Sequence, residues 1–559
     1  MPSLRSLLSK LKRGGAKKRP VRLGGAAEAP AEEGQAGVAE VAAEGRPLRG
    51  LGVFPGLGSG FKPVKTYPLE DPWSRAVILQ NVDTGETIYW VDEIPLNEAE
   101  REVYKKILDV LYWEMEPPKE GVDPQEHFAE EAKKVINRYM LRFGETVSPL
   151  ISWRKIQYYV IRDTVGFGPL DPLMKDEYIE DISCDGVGKP IYVWHREYES
   201  IPTNIVFKNE NELDSMVVRL AHKAGKHVSV AFPIIDAILP GGHRLAATYK
   251  REVSMAGSTF TIRKFREKPL SVVDLIRQGS LSPELAAYFW LAMEFKQTGL
   301  IMGVTGAGKT TMLNALATLF KPTIKVVTIE DTPELKLTLE NWVQLVSRPS
   351  YGVGPEKIGE ITLFDLVKVS LRYRPDVIIV GEVRGEEAYV LFQAIATGHG
   401  GLTTLHAEHI EAAVKRLTSP PMNIPESYIP LVNFALAVKR VRLYNPDGTY
   451  KIARRVTEVW EVRDYGDYPL VARWNPATRQ HEVNLGQSLV LRSIAEQIGT
   501  DYSWVVDEVE RRATVLRWLS AEGITDYREV AKIVNEYYAG PQKVYEKARN
   551  NLRGMEAYG

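Results

Sequence analysis

Cysteine is almost missing from this chain, with one residue, Cys184, in 559. A single thiol excludes an intramolecular disulfide and any zinc site made of cysteines alone, and nothing in it speaks for an oxidising compartment. An excess of either charge is missing too, since 71 Lys and Arg stand against 72 Asp and Glu. Without an overall positive field there is no electrostatic footprint for nucleic acid, so direct nucleic-acid binding is not expected. No uninterrupted apolar run reaches about 18 residues, the length a membrane-crossing helix needs, so any work at a membrane passes through a surface contact or a partner. What is present, 44% apolar and 26% charged residues, is the composition of a globular protein. The length suggests about three to four domains.

Charge is uneven at the N-terminus. Residues 1–22 carry eight Lys or Arg and no acid, with Leu4, Leu7, Leu8 and Leu11 on one helical face. A solvated tail is the plain reading, and a weak membrane-surface contact the alternative. Ala, Gly, Glu and Pro then dominate to residue 50, too few large apolar side chains to offset the entropy of ordering, so 1–50 is expected to be a disordered leader. Residues 70–165 read as a strand pair around "DTG" followed by amphipathic helices. Residues 166–268 alternate strands with the helix "NENELDSMVVRLAHKAG", as in a small α+β domain. Pro269 opens a linker, 269–279. From 280 to 486 short apolar strands ("GLIMG", "IKVVTIED", "WVQLVS", "DVIIVGE", "GLTTLH", "FALAVKRV") are spaced by helices, the pattern of an α/β domain with a mainly parallel sheet. Residues 487–559 read as a C-terminal helical region.

The stretch "GVTGAGKTT", residues 303–311, fits G-x-x-x-x-G-K-[ST] between an apolar strand and a helix, the context of a P-loop. Gly303, Gly306 and Gly308 permit the tight turn. With Thr305 and Ala307, they aim backbone N–H groups and the following helix N-terminus at phosphate. Lys309 is placed to neutralise the β and γ phosphates of ATP, Thr310 to hold Mg²⁺, and Thr311 closes the motif. Glu330 and Asp331 end the next strand, and Glu382 ends "DVIIVGE", where Gly381 precedes the acid that a conventional Walker B strand presents directly. Either glutamate could orient the attacking water or support Mg²⁺. His399, His406 and His409 follow. A metal reading of the HxxH at 406–409 is disfavoured because no H-E-x-x-H pattern accompanies it, which leaves a structural histidine, a γ-phosphate contact or a subunit contact. Phosphoryl transfer also needs cations around the developing charge. Arg244 and Arg263 in the preceding domain, and Arg372, Arg374 and Arg384 around "DVIIVGE", are the candidates.

With "GVTGAGKTT", "TIEDTPE", "DVIIVGE" and "TGHGGLTTLH" in this order, the chain resembles the secretion and pilus-motor ATPase superfamily, and most closely its archaeal branch that powers pili and the archaellum. Outside the core, "IEDISCDGVGKPIYVWHREYESIPTNI" and "ILPGGHRL" resemble that branch's N-terminal domain. The resemblance spans about residues 90–490 and implies a RecA-like P-loop ATPase core preceded by a smaller α+β N-terminal domain. It implies a homohexamer that hydrolyses ATP with Mg²⁺ and passes its motion to a polytopic membrane platform protein, at the cytoplasmic face of the membrane. It further implies that Glu330 polarises water, Glu382 supports Mg²⁺, His406 senses the γ-phosphate, and Arg244 and Arg263 reach the nucleotide from the N-terminal domain. Two other readings remain: a type IV secretion or conjugation ATPase, and a nucleotide-gated scaffold without appreciable hydrolysis. The leader at 1–50 departs from the family pattern, and one cysteine cannot supply the four-cysteine zinc element of some bacterial relatives.

Overall fold

Alternating apolar residues and Asn- or Gly-centred turns build the first sheet. The computed structural model describes residues 60–114, 124–143, 150–266, 268–348, 359–446 and 450–558. The basic leader and the Ala/Glu stretch lie outside them. Strands β1 (Phe61–Glu70), β2 (Ser74–Asn81) and β3 (Thr87–Glu93) form an antiparallel meander. Its second turn closes where Asn81 Oδ1 accepts the amides of Asp83 and Thr84 at 2.9 and 3.1 Å. The sequence shows no apolar run at β1, because this strand holds Pro63, Pro68 and two lysines. It tolerates them as the outermost strand of its sheet, where proline removes no ladder bond, and the register shifts at Pro63/Lys65 and Pro68/Glu70.

Helices α1 (Glu98–Glu114), α2 (Pro124–Phe143) and α3 (Leu150–Thr164) follow where the apolar periodicity places them, and α4 (Asp171–Lys175) leads into the α+β domain. There β4 (Ile179–Cys184), β5 (Pro190–His195), β6 (Glu199–Val206), β7 (Ile234–Ile238), β8 (Arg244–Thr248) and β9 (Thr259–Arg263) surround α5 (Glu210–Lys223). Asn209 caps α5 by accepting the Glu212 amide at 2.9 Å. The strand order β1-β2-β3-β6-β5-β4-β9-β8-β7 makes one nine-stranded sheet, joined by the parallel pairing of Tyr89 with Thr203. The boundary expected at residue 165 therefore runs through a shared sheet. Pairing between strands more than a hundred residues apart leaves no local signal.

The expected linker is also more ordered than its composition indicates. Ser271 and Asp274 form a reciprocal capping box for α6 (Val272–Arg277), whose Val272, Val273 and Leu275 are buried in the core of the next domain. Next, α7 (Pro283–Glu294) is apolar on all sides and buried from Leu285 to Met293. The second sheet has the order β12-β11-β13-β14-β10-β15-β16-β17-β18. Its strands β10 (Gly299–Met302), β11 (Val326–Glu330), β12 (Trp342–Val346), β13 (Val377–Val380), β14 (Gly400–Leu405) and β15 (Phe434–Tyr444) are parallel. Helices α8 (Lys309–Ala317), α9 (Leu363–Ser370), α10 (Glu387–Ala396) and α11 (Ile410–Thr418) connect them. An antiparallel extension, β16 (Tyr450–Glu461), β17 (Leu470–Asn475) and β18 (Gln480–Val483), continues the sheet. The C-terminal helices α12 (Leu489–Ile498), α13 (Tyr502–Glu522), α14 (Tyr527–Ala539) and α15 (Pro541–Tyr558) complete the domain. Buried Arg512 on α13 pairs with Glu508 and with Glu294 at the end of α7. Among the described residues no helix is long and apolar enough to cross a membrane.

Candidate nucleotide site

The P-loop links β10 to α8, and its shape follows from its glycines. Gly306 and Gly308 sit at φ +72° and +99°, a region costly for any side chain, and a Cβ on Gly303 would lie 2.6 Å from the Val438 carbonyl. Lys309 opens α8 and is only 8% exposed. Its Nζ donates to the Val304 carbonyl at 3.2 Å and stands 3.3 Å from His406 Nδ1. Burial lowers the Lys309 pKa, and Glu382 opposes that shift. Thr310 and Thr311 occupy the first turn of α8, beside the N-terminal end of its dipole.

Strand order decides what faces Lys309. Because β14 lies between β10 and β13, the residue that follows it, His406, falls between the lysine and Glu382, which follows β13. His406 Nε2 is 2.8 Å from Glu382 Oε1. An ammonium has no lone pair to offer, so the nitrogen facing Lys309 is the acceptor and the ring proton sits on Nε2, toward the carboxylate. Burial and the Lys309 ammonium both lower the His406 pKa, which keeps the ring neutral at pH 7. Glu382 Oε2 accepts from Arg384, while Oε1 is buried and makes no aligned hydrogen bond despite its short approach to His406. A buried carboxylate oxygen without an aligned hydrogen bond, in the same site as the P-loop threonine hydroxyl, suits a hard cation that takes oxygen ligands, so these residues fit Mg²⁺.

The acidic box divides in a way its spacing does not reveal. Glu330 is 3% exposed. Its Oε1 accepts the amides of Glu334 and Leu335 at 2.9 and 3.0 Å, and Oε2 accepts from Gln344 at 3.2 Å. The carboxylate expected to polarise water is thus buried beneath the loop it holds. Glu334, which carries no distinguishing signal inside "TIEDTPE", is the acid that meets the Thr310 hydroxyl and feels Glu382, Arg263 and Arg244. Asp331 accepts from Ser347 at 2.9 Å.

Desolvation pushes the Glu330 pKa up from 4.5 to about 7. The folded chain then holds this proton more tightly than the unfolded chain, so stability falls as pH rises from about 4.5 to 7, and the penalty persists above that. Calorimetry should show the wild-type melting temperature dropping between pH 5 and 8 by an amount that Glu330→Gln removes. An identical pH dependence in the variant would contradict this assignment.

Arg244 and Arg263, on adjacent strands of the N-terminal sheet, pair with Asp236 and Asp181, each at 3.0 Å. Both lie within electrostatic reach of Glu334. Arg372 and Arg374 precede β13 and so sit at the strand end away from Glu382. His399 occupies the turn before β14, its Nδ1 3.0 Å from the Ala394 carbonyl. His409 faces Glu458 at 4.0 Å, so the two histidines of the HxxH diverge. Among the described residues no three His, Cys, Asp or Glu converge as a metal site. Two further arginines had no sequence signal. Arg454 Nε donates to the Gly306 carbonyl at 3.2 Å, and Arg440 lies beside Gly306.

A P-loop after one strand, with the acid-bearing strand β13 separated from it by β14, defines a RecA-like P-loop core. The chain belongs to the type II/IV secretion system protein family, whose model matches residues 163–441, and a PilB3-like C-terminal model matches residues 483–553. It is similar to an uncharacterized protein of Methanocaldococcus jannaschii, 36% identical over 501 residues, or 84% of this chain and 88% of the relative. A second uncharacterized protein of that organism is 43% identical over 270 residues, 47% of this chain and 96% of the relative. Among solved structures, the VirB11 ATPase of the Brucella suis type IV secretion system, in complex with sulphate, is 26% identical. That likeness covers 52% of this chain and 92% of the other, with a TM-score of 0.26.

Proposed function

We propose that this protein hydrolyses ATP as a homohexameric motor that powers assembly of a type IV pilus-like, archaellar or type II secretion filament. It would act at the cytoplasmic face of the membrane through a polytopic platform protein. The observation that carries the reading is the file Lys309, His406, Glu382, in which an ammonium, a neutral imidazole and a carboxylate meet at 3.3 and 2.8 Å beside a helix N-terminus. The P-loop amides and Lys309 would bind the β and γ phosphates. Mg²⁺, held through Thr310 and Glu382, would supply charge neutralisation between them. Water attacks the γ-phosphorus, the bond to the ADP oxygen breaks, and a carboxylate takes the proton. Glu334 is assigned that carboxylate role, with Glu330 positioning its loop. His406 couples the γ-phosphate to Glu382, and Arg244 and Arg263 approach from the N-terminal domain to offset the developing charge.

The test is steady-state ATP hydrolysis with Mg²⁺ while light scattering records mass. Hydrolysis should rise as hexamer forms. Arg263→Ala and Glu334→Gln should each lower kcat by about 10²-fold, the scale of removing one positioned group. Absence of turnover in every oligomeric state would overturn the motor. Full activity in Arg263→Ala would remove that arginine from the site.

A further inference from the structure

The hairpin of β15 and β16 runs past the end of the P-loop strand, with Val438 to Tyr444 extending beyond the last residue of β10 paired with it. Two of its arginines lie on the outer face of the P-loop. Arg454 Nε donates to the Gly306 carbonyl at 3.2 Å, and the Arg440 guanidinium would be 3.9 Å from a Cβ on Gly306. Each is also held from the other side by the N-terminal domain. Arg454 Nη2 donates to both oxygens of Glu180 at 2.8 Å, and Arg440 stacks 5.2 Å from the ring of Trp194. Glu180 is shared, since Arg196 of its own domain also donates to it at 3.2 Å. One carboxylate thus stands between guanidiniums from two domains.

The Gly306 carbonyl matters because a trans peptide points its C=O and the next N–H in opposite directions. Holding that oxygen outward turns the Ala307 amide into the loop, where it meets the Val304 carbonyl at 3.2 Å. Gly306 imposes little barrier of its own to rotation of this peptide. Its orientation is set by what grips the oxygen.

We infer that Arg454 is a positioning residue through which the N-terminal domain, gripping it by Glu180, sets the geometry of the P-loop. The inference rests on the P-loop being an ATP site, and it adds a second link from the N-terminal domain, distinct from Arg244 and Arg263. When Glu180 withdraws, Arg454 loses the carboxylate that anchors its Nη2, the Gly306 peptide is freed, and phosphate must pay for its ordering on binding. Domain position and nucleotide affinity are then reciprocally coupled.

The experiment is a double-mutant cycle on the full chain, reading the Kd of a fluorescent ATP analogue with Mg²⁺ and hydrogen exchange of the amides of residues 304–308 without nucleotide. Arg454→Gln should raise Kd roughly tenfold, within the range of known couplings. Glu180→Gln should raise it in the same direction, and the second substitution should add little to the first. Both variants should speed exchange at Ala307. Arg454→Lys, whose single nitrogen cannot reach Glu180 and the Gly306 carbonyl separately as Nη2 and Nε do, should fall between wild type and Arg454→Gln. Wild-type exchange in Glu180→Gln, or strictly additive effects on Kd, would overturn the coupling. A wild-type chain that binds no analogue would overturn the ATP site itself, while exchange at Ala307 would still decide whether the latch exists.

Discussion

Replacing Lys309 with alanine is expected to abolish ATP hydrolysis, lowering kcat/KM by at least about 10³-fold, because it removes the P-loop ammonium proposed to neutralise the β and γ phosphates. The lysine is nearly buried, and the groups around it are poor substitutes: a carbonyl, a neutral imidazole and the Glu382 carboxylate. Without Lys309 the site presents Glu382 to an anionic substrate with less compensation, so binding and chemistry fail together. Stability should behave oppositely. Burial lowers the Lys309 pKa, which means the folded chain holds the charged form at a cost at pH 7, a cost that fades as pH rises through the folded pKa. Lys309→Met should therefore melt no lower than wild type while remaining inactive. A calorimetric scan beside a phosphate-release assay checks both, and substantial hydrolysis in either variant would remove Lys309 from the mechanism.

Glu382→Gln is expected to separate binding from turnover. The amide keeps the shape of the side chain and leaves Lys309 and the P-loop amides in place, so ATP should still bind within a few-fold of the wild-type affinity. Turnover should drop by about 10²–10³-fold, because a neutral oxygen is a weaker partner for Mg²⁺ and no longer draws the Nε2 proton of His406. The pair at 2.8 Å makes His406→Asn the natural companion. If histidine and carboxylate act as a unit, the double variant should be scarcely slower than Glu382→Gln alone. Additive losses would show that they act separately. Preserved filament assembly in a non-hydrolysing Glu382→Gln protein would favour a nucleotide-gated scaffold over a motor.

Much of this site was legible because its parts are local in sequence. "GVTGAGKTT" names its own geometry, and the short apolar runs before Glu330 and Glu382 mark strand ends, where α/β sheets place ligands. All six parallel strands of the core lie where their apolar runs predict. What was hidden depends on contacts across long separations. Glu330 and Glu334 share one box, and only the folded loop shows that one is buried under the other. Arg454 is 274 residues from Glu180 and sits in an antiparallel hairpin outside the motif-bearing strands, so its residue type alone carries no signal. Strand β1 escaped because edge position, not apolarity, lets prolines and lysines into a ladder. The linker composition hides a helix, since the serine and aspartate that look like loop residues are its cap.

That capped helix has a mechanical consequence. The chain passes once from the N-terminal sheet to the second domain, between Arg263 and Ser271, and Lys264 at the start of this stretch is tied to the Leu173 carbonyl at 3.0 Å. With Lys264 tied at one end and α6 buried at the other, the connection is an axle anchored at both ends. A domain mounted on an axle can turn but scarcely slide, so small angles at Pro269 become large displacements at the remote edge strand β1, six strands from β9, while points near the axle hardly move.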